Sequence, residues 1–350
     1  MEYFVMPLQA ASLLSPLYTA FGWLMAQFYS VFNNYGLVII LFTMLLRGVM
    51  IPLNIRQQKN SLKQQALSRD MNELSRIYGD DRMGLQEAQA ALFKKHGIST
   101  TSGCLMSLLP MFLIWPVYRI ISAPMKYIMR VAEGNITAIA TMLNGKGLFP
   151  ENLISAAADN NIPVMNALHS NPSMYAAAVN NGWIKIGDVL DIDFFGINLG
   201  LTPQWRPSAL FGAEASTYLP LLAIAFLAVA TTFLVSKVQE WTNPMYWKIR
   251  EEKKLAKNNP ARTVSDDAMS SGMMKSMKWM MPIFTFFMIF SMPAAMGLYW
   301  IVGNLMSAFQ ATLFYYLYAK PAFANTGSNS PVNRSDTKRL NKGKRKKGTA

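Results

Sequence analysis

Five stretches of this chain are long and apolar enough to cross a lipid bilayer, and no other feature limits its possible folds as strongly. A spanning helix needs about 20 mostly apolar residues, because each residue advances about 1.5 Å through a hydrocarbon layer about 30 Å thick. The stretches are roughly Tyr35 to Ile55, Gly103 to Ala123, Ser216 to Ser236, Trp279 to Pro293 with the upstream Met273 to Met277, and Ala294 to Ala319. Composition agrees, with 52% hydrophobic and only 15% charged residues in a chain of 350. Soluble proteins carry about a quarter charged residues. The expected fold class is an all-α polytopic membrane protein with a five-span helical core. The break at Pro293-Ala294-Ala295 predicts that the last two spans form a tight helical hairpin.

Positive charge orients the spans. Basic residues crowd 56–102 (Arg56, Lys59, Lys63, Arg69, Arg76, Arg82, Lys94, Lys95), 237–278 and the tail from Lys320 onward. None precedes Arg47, and only Lys126, Arg130, Lys146, Lys185 and Arg206 occupy the stretch between the second and third spans. Cytoplasmic loops collect Lys and Arg, so the amino terminus is expected outside a plasma membrane and the carboxyl terminus inside. Five spans require the same arrangement. The amino terminus has neither the basic flank nor the cleavage site of a secretory signal, so the first span is expected to enter uncleaved.

The rest of the chain divides around the spans. Residues 1–34 read as an interfacial helix on the outer leaflet, with Trp23 and Tyr29 at headgroup level, because Pro16, Gln27 and Asn33-Asn34 interrupt the apolar run. Residues 35–130 hold the first two spans and, over 56–102, a cytoplasmic helical hairpin of modest amphipathicity. Its helices are expected over Arg56 to Tyr78 and Leu85 to His96, separated by Gly79-Asp80-Asp81. Residues 131–215 read as an extracytoplasmic helical insertion. It contains two similar stretches, Ser155 to Asn161 and Tyr175 to Asn181, which leave an internal duplication open. Residues 216–319 hold spans three to five. Residues 320–350 turn to Asn, Ser, Gly, Lys and Arg and are expected to be a disordered basic cytoplasmic tail.

Little in the sequence suggests catalysis. There is no nucleophile elbow, zinc-protease motif or phosphate-cradling glycine loop, and all 19 acids lie outside the five spans. The single Cys104 excludes an intrachain disulfide, and the two histidines, His96 and His169, lie in polar stretches. No enzyme activity, cofactor or metal is expected.

Arg47 is the exception within the apolar segments. A guanidinium cannot release its proton, and at the centre of a membrane helix it costs about 2.5–3.5 kcal/mol on insertion scales. One reading is that it snorkels to the headgroups or anchors other helices. The other is that it supplies a fixed positive charge to a hydrophilic groove open to the cytoplasm. Thr43 lies one turn away on the same face, and Tyr299, Trp300, Asn304, Ser307 and Gln310 supply polarity on the last span. Asn304 and Gln310 can equally serve as interhelical glue. Arg119 reads as snorkelling, with no role assigned. The methionines around Met269 to Met281 read as packing or as an adaptable client surface. The run Lys344-Arg345-Lys346-Lys347 suits anionic lipid or a ribosome, and no DNA partner is expected.

The stretch Met280-Met281-Pro282-Ile283-Phe284-Thr285-Phe286-Phe287, continuing through Pro293 to Trp300, Asn304, Ser307 and Gln310, resembles the final hairpin of the YidC/Oxa/Alb membrane protein insertases. Leu14 to Tyr18, and Tyr35-Gly36-Leu37 through Arg47 to Pro52-Leu53, resemble that family's interfacial helix and first core span. Gly103-Cys104-Leu105 and Pro110 to Tyr118 resemble its second. With no large domain before the first span, the likeness is to Gram-positive bacterial members. The resemblance implies an insertase and chaperone for nascent membrane proteins, working through a groove that holds Arg47, alone or beside a Sec-type translocon. It implies that Thr43, Tyr299 and Trp300 line the client's path. Ile114, the longer step from Cys104 to Pro110 and the length of 131–215 depart from the family pattern. Two other functions stay open: a small-solute transporter or channel with Arg47 as its selectivity charge, and a passive assembly scaffold.

Overall fold

The computed structural model describes residues 8–97, 112–243, 246, 247, 250, 280 and 282–321. The first half of the expected second span, most of the methionine cluster, most of the 237–278 loop and the basic tail with Lys344 to Lys347 lie outside the described residues.

α1 (Leu8–Phe32) and α2 (Tyr35–Ala66) are joined by Asn33 and Asn34. Asn33 takes a left-handed φ of 46°, a conformation asparagine tolerates better than larger residues, and ends α1 with its amide on the Tyr29 carbonyl. Asn34 starts α2 by accepting the Leu37 amide on its side-chain oxygen at 3.1 Å. Two adjacent residues of one type thus close one helix and open the next.

α2 does not stop where the first span was expected to stop. It runs through Pro52, where one backbone hydrogen bond is lost, and continues past Ile55 to Ala66. At about 1.5 Å per residue it is about 48 Å long, well beyond a hydrocarbon layer of about 30 Å. The first hairpin helix expected over Arg56 to Tyr78 is therefore corrected. Its first part continues α2, the chain breaks at the buried Leu67, and α3 (Ser68–Tyr78) follows. α4 (Arg82–Lys95) packs against α3 across a turn in which Gly79 has a φ of 53° and the Asp81 carboxylate accepts the Gly84 amide. α3 separates its faces more sharply than expected. Met71, Leu74 and Tyr78 share one side, while Glu73, Ser75 and Arg76 are exposed.

α5 (Phe112–Ser122) and the short α6 (Pro124–Tyr127) lead into the segment after Val131. This segment holds α7 (Glu133–Asn144), α8 (Ile162–Ser170), α9 (Pro172–Asn180) and α10 (Pro207–Phe211). Prolines in the first turns of α6, α8, α9 and α10 preset φ where no intrahelical donor is needed. Ile136, Ile139 and Leu143 of α7 and Val164, Met165 and Leu168 of α8 are buried together with Ile120, Ile121 and Met125 in one core. The segment is not purely helical: β1 (Asp193–Phe194) and β2 (Ile197–Asn198) pair antiparallel. Nor do its two similar stretches share a conformation, since the first falls in turns after the 3₁₀ turn Glu151–Leu153 and the second lies in α9.

α11 (Ala215–Trp241), α12 (282–289) and α13 (Ala294–Phe314) complete the described chain, with a π turn over Tyr315–Ala319. The break between α12 and α13 covers 290–293 and meets the expected Pro293-Ala294-Ala295 break at Pro293, with Ala294 and Ala295 already belonging to α13. α11 and α13 approach closely at Gly297, where a Cβ would stand 2.8 Å from Cγ2 of Ile224. Among the described residues, two helices meet both the length and the hydropathy expected of a membrane span, over Tyr35–Gln64 and Ala215–Trp241. In α13, Asn304, Ser307 and Gln310 interrupt the apolar run.

The chain forms two compact units. The first comprises Met1–Ser236 and Ser265–Ala308 and contains the core just described. The second comprises Lys237–Val264 and Phe309–Ala350 and is rich in aromatic contacts. In it Trp241 lies 5.7 Å from Tyr315, Phe314 stacks on Tyr318 at 5.4 Å, and the Trp247 indole donates to the Trp241 carbonyl.

Candidate functional site

Arg47 lies twelve residues into α2, about 18 Å along its axis from Tyr35. Its guanidinium reaches across to α13 and packs against the bare backbone of Gly303. A Cβ there would lie 3.0 Å from Nη2, 3.5 Å from Nε and 3.6 Å from Cζ. The same guanidinium lies beside the Tyr299 hydroxyl, one turn earlier on α13, close enough to interact with it electrostatically. Tyr299 is buried, whereas Arg47 is only half-buried. No carboxylate among the described residues lies within ion-pair distance of Arg47. The site therefore holds a permanent cation beside a phenol and a glycine, with no counter-charge among the described residues.

The other expected residues divide between this site and the surrounding scaffold. The Thr43 hydroxyl donates 2.6 Å back to the Ile39 carbonyl of its own helix and is fully buried. Asn304 is engaged between helices: its Nδ2 donates to Oγ1 of Thr231 at 3.2 Å and of Thr232 at 2.9 Å on α11. Both threonines in turn donate to the Ala228 carbonyl, so the amide closes a small polar knot between two apolar helices. Ser307 donates to the Gly303 carbonyl. Trp300 is half-buried against the core, and Gln310, also buried, belongs to the second unit. Sequence reading passed over Gly303, Thr231 and Thr232. A glycine directly before Asn304 in an apolar run was the available signal for the first, and adjacent hydroxyls at the centre of an apolar helix for the others.

Arg119 does not snorkel as expected. It donates to Asp159 at 2.9 Å, and the same carboxylate oxygen lies 3.5 Å from Nζ of Lys126, which also pairs with Glu133 at 2.7 Å. Burial works against the Lys126 charge, but the hydrogen bond that its ammonium donates to Glu133 and the nearby Tyr127, Glu133 and Asp159 outweigh it and raise the ammonium pKa. Among the described residues no group of three or more His, Cys, Asp or Glu side chains is placed to hold a metal ion.

Comparison with known proteins finds relatives that match parts of this chain. The membrane protein insertase YidC 1 of Halalkalibacterium halodurans is 36% identical over 125 residues, covering 34% of this chain and 44% of that protein. The insertase YidC of Xanthomonas oryzae pv. oryzae is 35% identical over 96 residues, 27% of this chain and 17% of the relative. That of Neisseria gonorrhoeae is 33% identical over 104 residues, 30% and 18% respectively. The matches thus span less than half the length of each relative. The family model described as 60Kd inner membrane protein matches residues 27–321, a range that runs from the end of α1 through the whole of α13 and includes Arg47, Tyr299 and Gly303. This all-α membrane protein belongs to the 60Kd inner membrane protein family.

Proposed function

We propose that the chain is a bacterial membrane protein insertase and chaperone. The observation that carries this reading is the half-buried Arg47, without a carboxylate partner among the described residues, held against Tyr299 and Gly303 of a second helix of the family core. A client's short polar segment is drawn toward that charge while its apolar helix slides along α13 into lipid. Carrying the polar segment only partway through hydrocarbon, across a locally thinned bilayer, lowers the desolvation barrier. Burial of the client helix, worth about 25 cal/mol per Å² of apolar surface, drives the step without nucleotide.

In this reading the core has five spans, with the amino terminus outside the plasma membrane and the carboxyl terminus in the cytoplasm. Residues 1–34 lie on the outer leaflet, and the α3–α4 hairpin recruits clients in the cytoplasm. Residues 131–215 cover the outer ends of the spans, 216–319 complete the core, and 320–350 meet lipid or the ribosome through Lys344, Arg345, Lys346 and Lys347. Thr43 and Asn304 set the spacing of the helices around the groove, and Tyr299 and Trp300 face the client path. A Sec-type translocon is a partner for larger clients.

The test is protease protection of a short single-span client added to liposomes that contain the purified protein, its Arg47→Ala variant, or no protein. Faster protection with the wild type than with bare lipid, lost in the variant, is expected. Equal protection in all three would overturn autonomous insertion and favour a passive scaffold.

A further inference from the structure

β1 and β2 are joined by two residues, Phe195 and Gly196, and both take left-handed backbone conformations, with φ of 54° and 79°. A two-residue hairpin of this kind favours Asn, Asp or Gly at its first position, because a Cβ there crowds the following carbonyl. This chain places a phenylalanine there. Its ring gains nothing from the core, since Phe195 is 89% exposed and its ring contact is an edge-on one with the neighbouring Phe194. A bulky residue kept at positive φ with its side chain outside the fold is a strained position, and its benefit must come from outside the chain.

The location of the turn identifies what lies outside. The Asp193 carbonyl accepts from Nδ2 of Asn34 at 2.8 Å, and the Asp191 carbonyl accepts from the Tyr35 amide at 3.0 Å. The Phe194 ring presses on Gly36 so closely that any side chain there would overlap it. Asn34, Tyr35 and Gly36 open α2, which then carries no charge before Arg47. The turn therefore stands at the level where α2 leaves water for hydrocarbon, the depth at which aromatic side chains gather in membrane proteins. Asp191 and Asp193 flank it, so anionic headgroups are poor partners and the attraction is apolar.

We propose that Phe195 is a lipid anchor, inserting its ring below the headgroups of the leaflet in which α2 begins and pinning the 131–215 segment to the membrane surface. The inference rests on α2 crossing the bilayer and is independent of insertase activity. The test uses Phe195→Cys in a Cys104→Ser background, labelled with an apolar fluorophore and reconstituted into phosphatidylcholine liposomes. Strong quenching by a spin label carried just below the lipid headgroup is expected, with iodide in the water quenching several-fold less than it quenches the same dye on free glutathione. Quenching should change little between low and high salt. Iodide quenching equal to that of the free adduct would place residue 195 in water and overturn the anchor. Quenching by lipid that collapses in high salt would overturn the apolar attraction.

Discussion

Arg47 and Arg119 are both arginines set among apolar residues of helices, and the protein treats them in opposite ways. Arg119 is matched by Asp159, which also reaches Lys126, so the positive charge on this side of the core is spent on holding α5 and α6 against the segment that follows. Among the described residues Arg47 meets the Tyr299 hydroxyl and the Gly303 backbone, which accommodate the guanidinium without neutralising it. An arginine that is structural can be given a carboxylate. On the proposed function, one that attracts a client is given neutral neighbours and left partly open, and the cost of about 2.5–3.5 kcal/mol is carried by the rest of the fold.

The contrast can be broken most decisively at Arg47 itself. Arg47→Ala is expected to slow client insertion at least tenfold, equivalent to about 1.4 kcal/mol of barrier, while the thermal midpoint holds or rises because an uncompensated charge has gone. A fall in stability with insertion intact would make Arg47 a second structural arginine. Next in size is Gly303→Leu, which keeps the charge but fills the space against which the guanidinium lies. Insertion should fall several-fold with the same clients, measured by protease protection at matched protein levels.

Arg119→Ala sharpens the comparison from the other side. Asp159 is about half exposed, so the pair is screened, and its loss should cost about 1 kcal/mol or less in thermal unfolding and leave insertion rates unchanged. The smallest effect is expected from Asn304→Ala. Thr231 and Thr232 keep their own bonds to Ala228, and removing the amide should lower stability by about 0.6 kcal/mol, the usual worth of a polar contact between membrane helices.

The sequence makes some of these features legible and hides others for identifiable reasons. Pro293 stands directly before α13, at the end of the 290–293 break that follows α12, because a proline break is a local property of the backbone. The Asn33-Asn34 junction is legible for the same reason. Leu67 breaks the rod after α2 although no glycine or proline marks it, and Pro52 fails to break it although the residue type would allow it. Packing decides both. Arg119 and Asp159 are 40 residues apart and meet only through the tertiary fold, so the arginine read as unpartnered. The hairpin at Phe195 was missed because its first turn residue is the wrong chemical type for such a turn, and that mismatch is what makes the position informative. In the site, the cation was plain from its surroundings, whereas the neutrality of its neighbours required coordinates.

The segment between α6 and α11 looks in the sequence like a cassette that evolution could drop in or cut out. Its last stretch is stitched into the core: the Asp191 carbonyl receives the first amide of α2, and the Leu201 and Leu199 carbonyls receive the Ala294 and Ala295 amides at the start of α13. The early helices α7 and α8 share a buried core with α5 and α6, and Asn161 bonds to Ser122 and Met125; residues 191–201 in turn cannot be removed without unpicking the ends of the two helices that carry Arg47 and Tyr299. What reads as a cassette is a wall of the core, and a truncation series should find no cut between α7 and Leu201 that leaves stability unchanged.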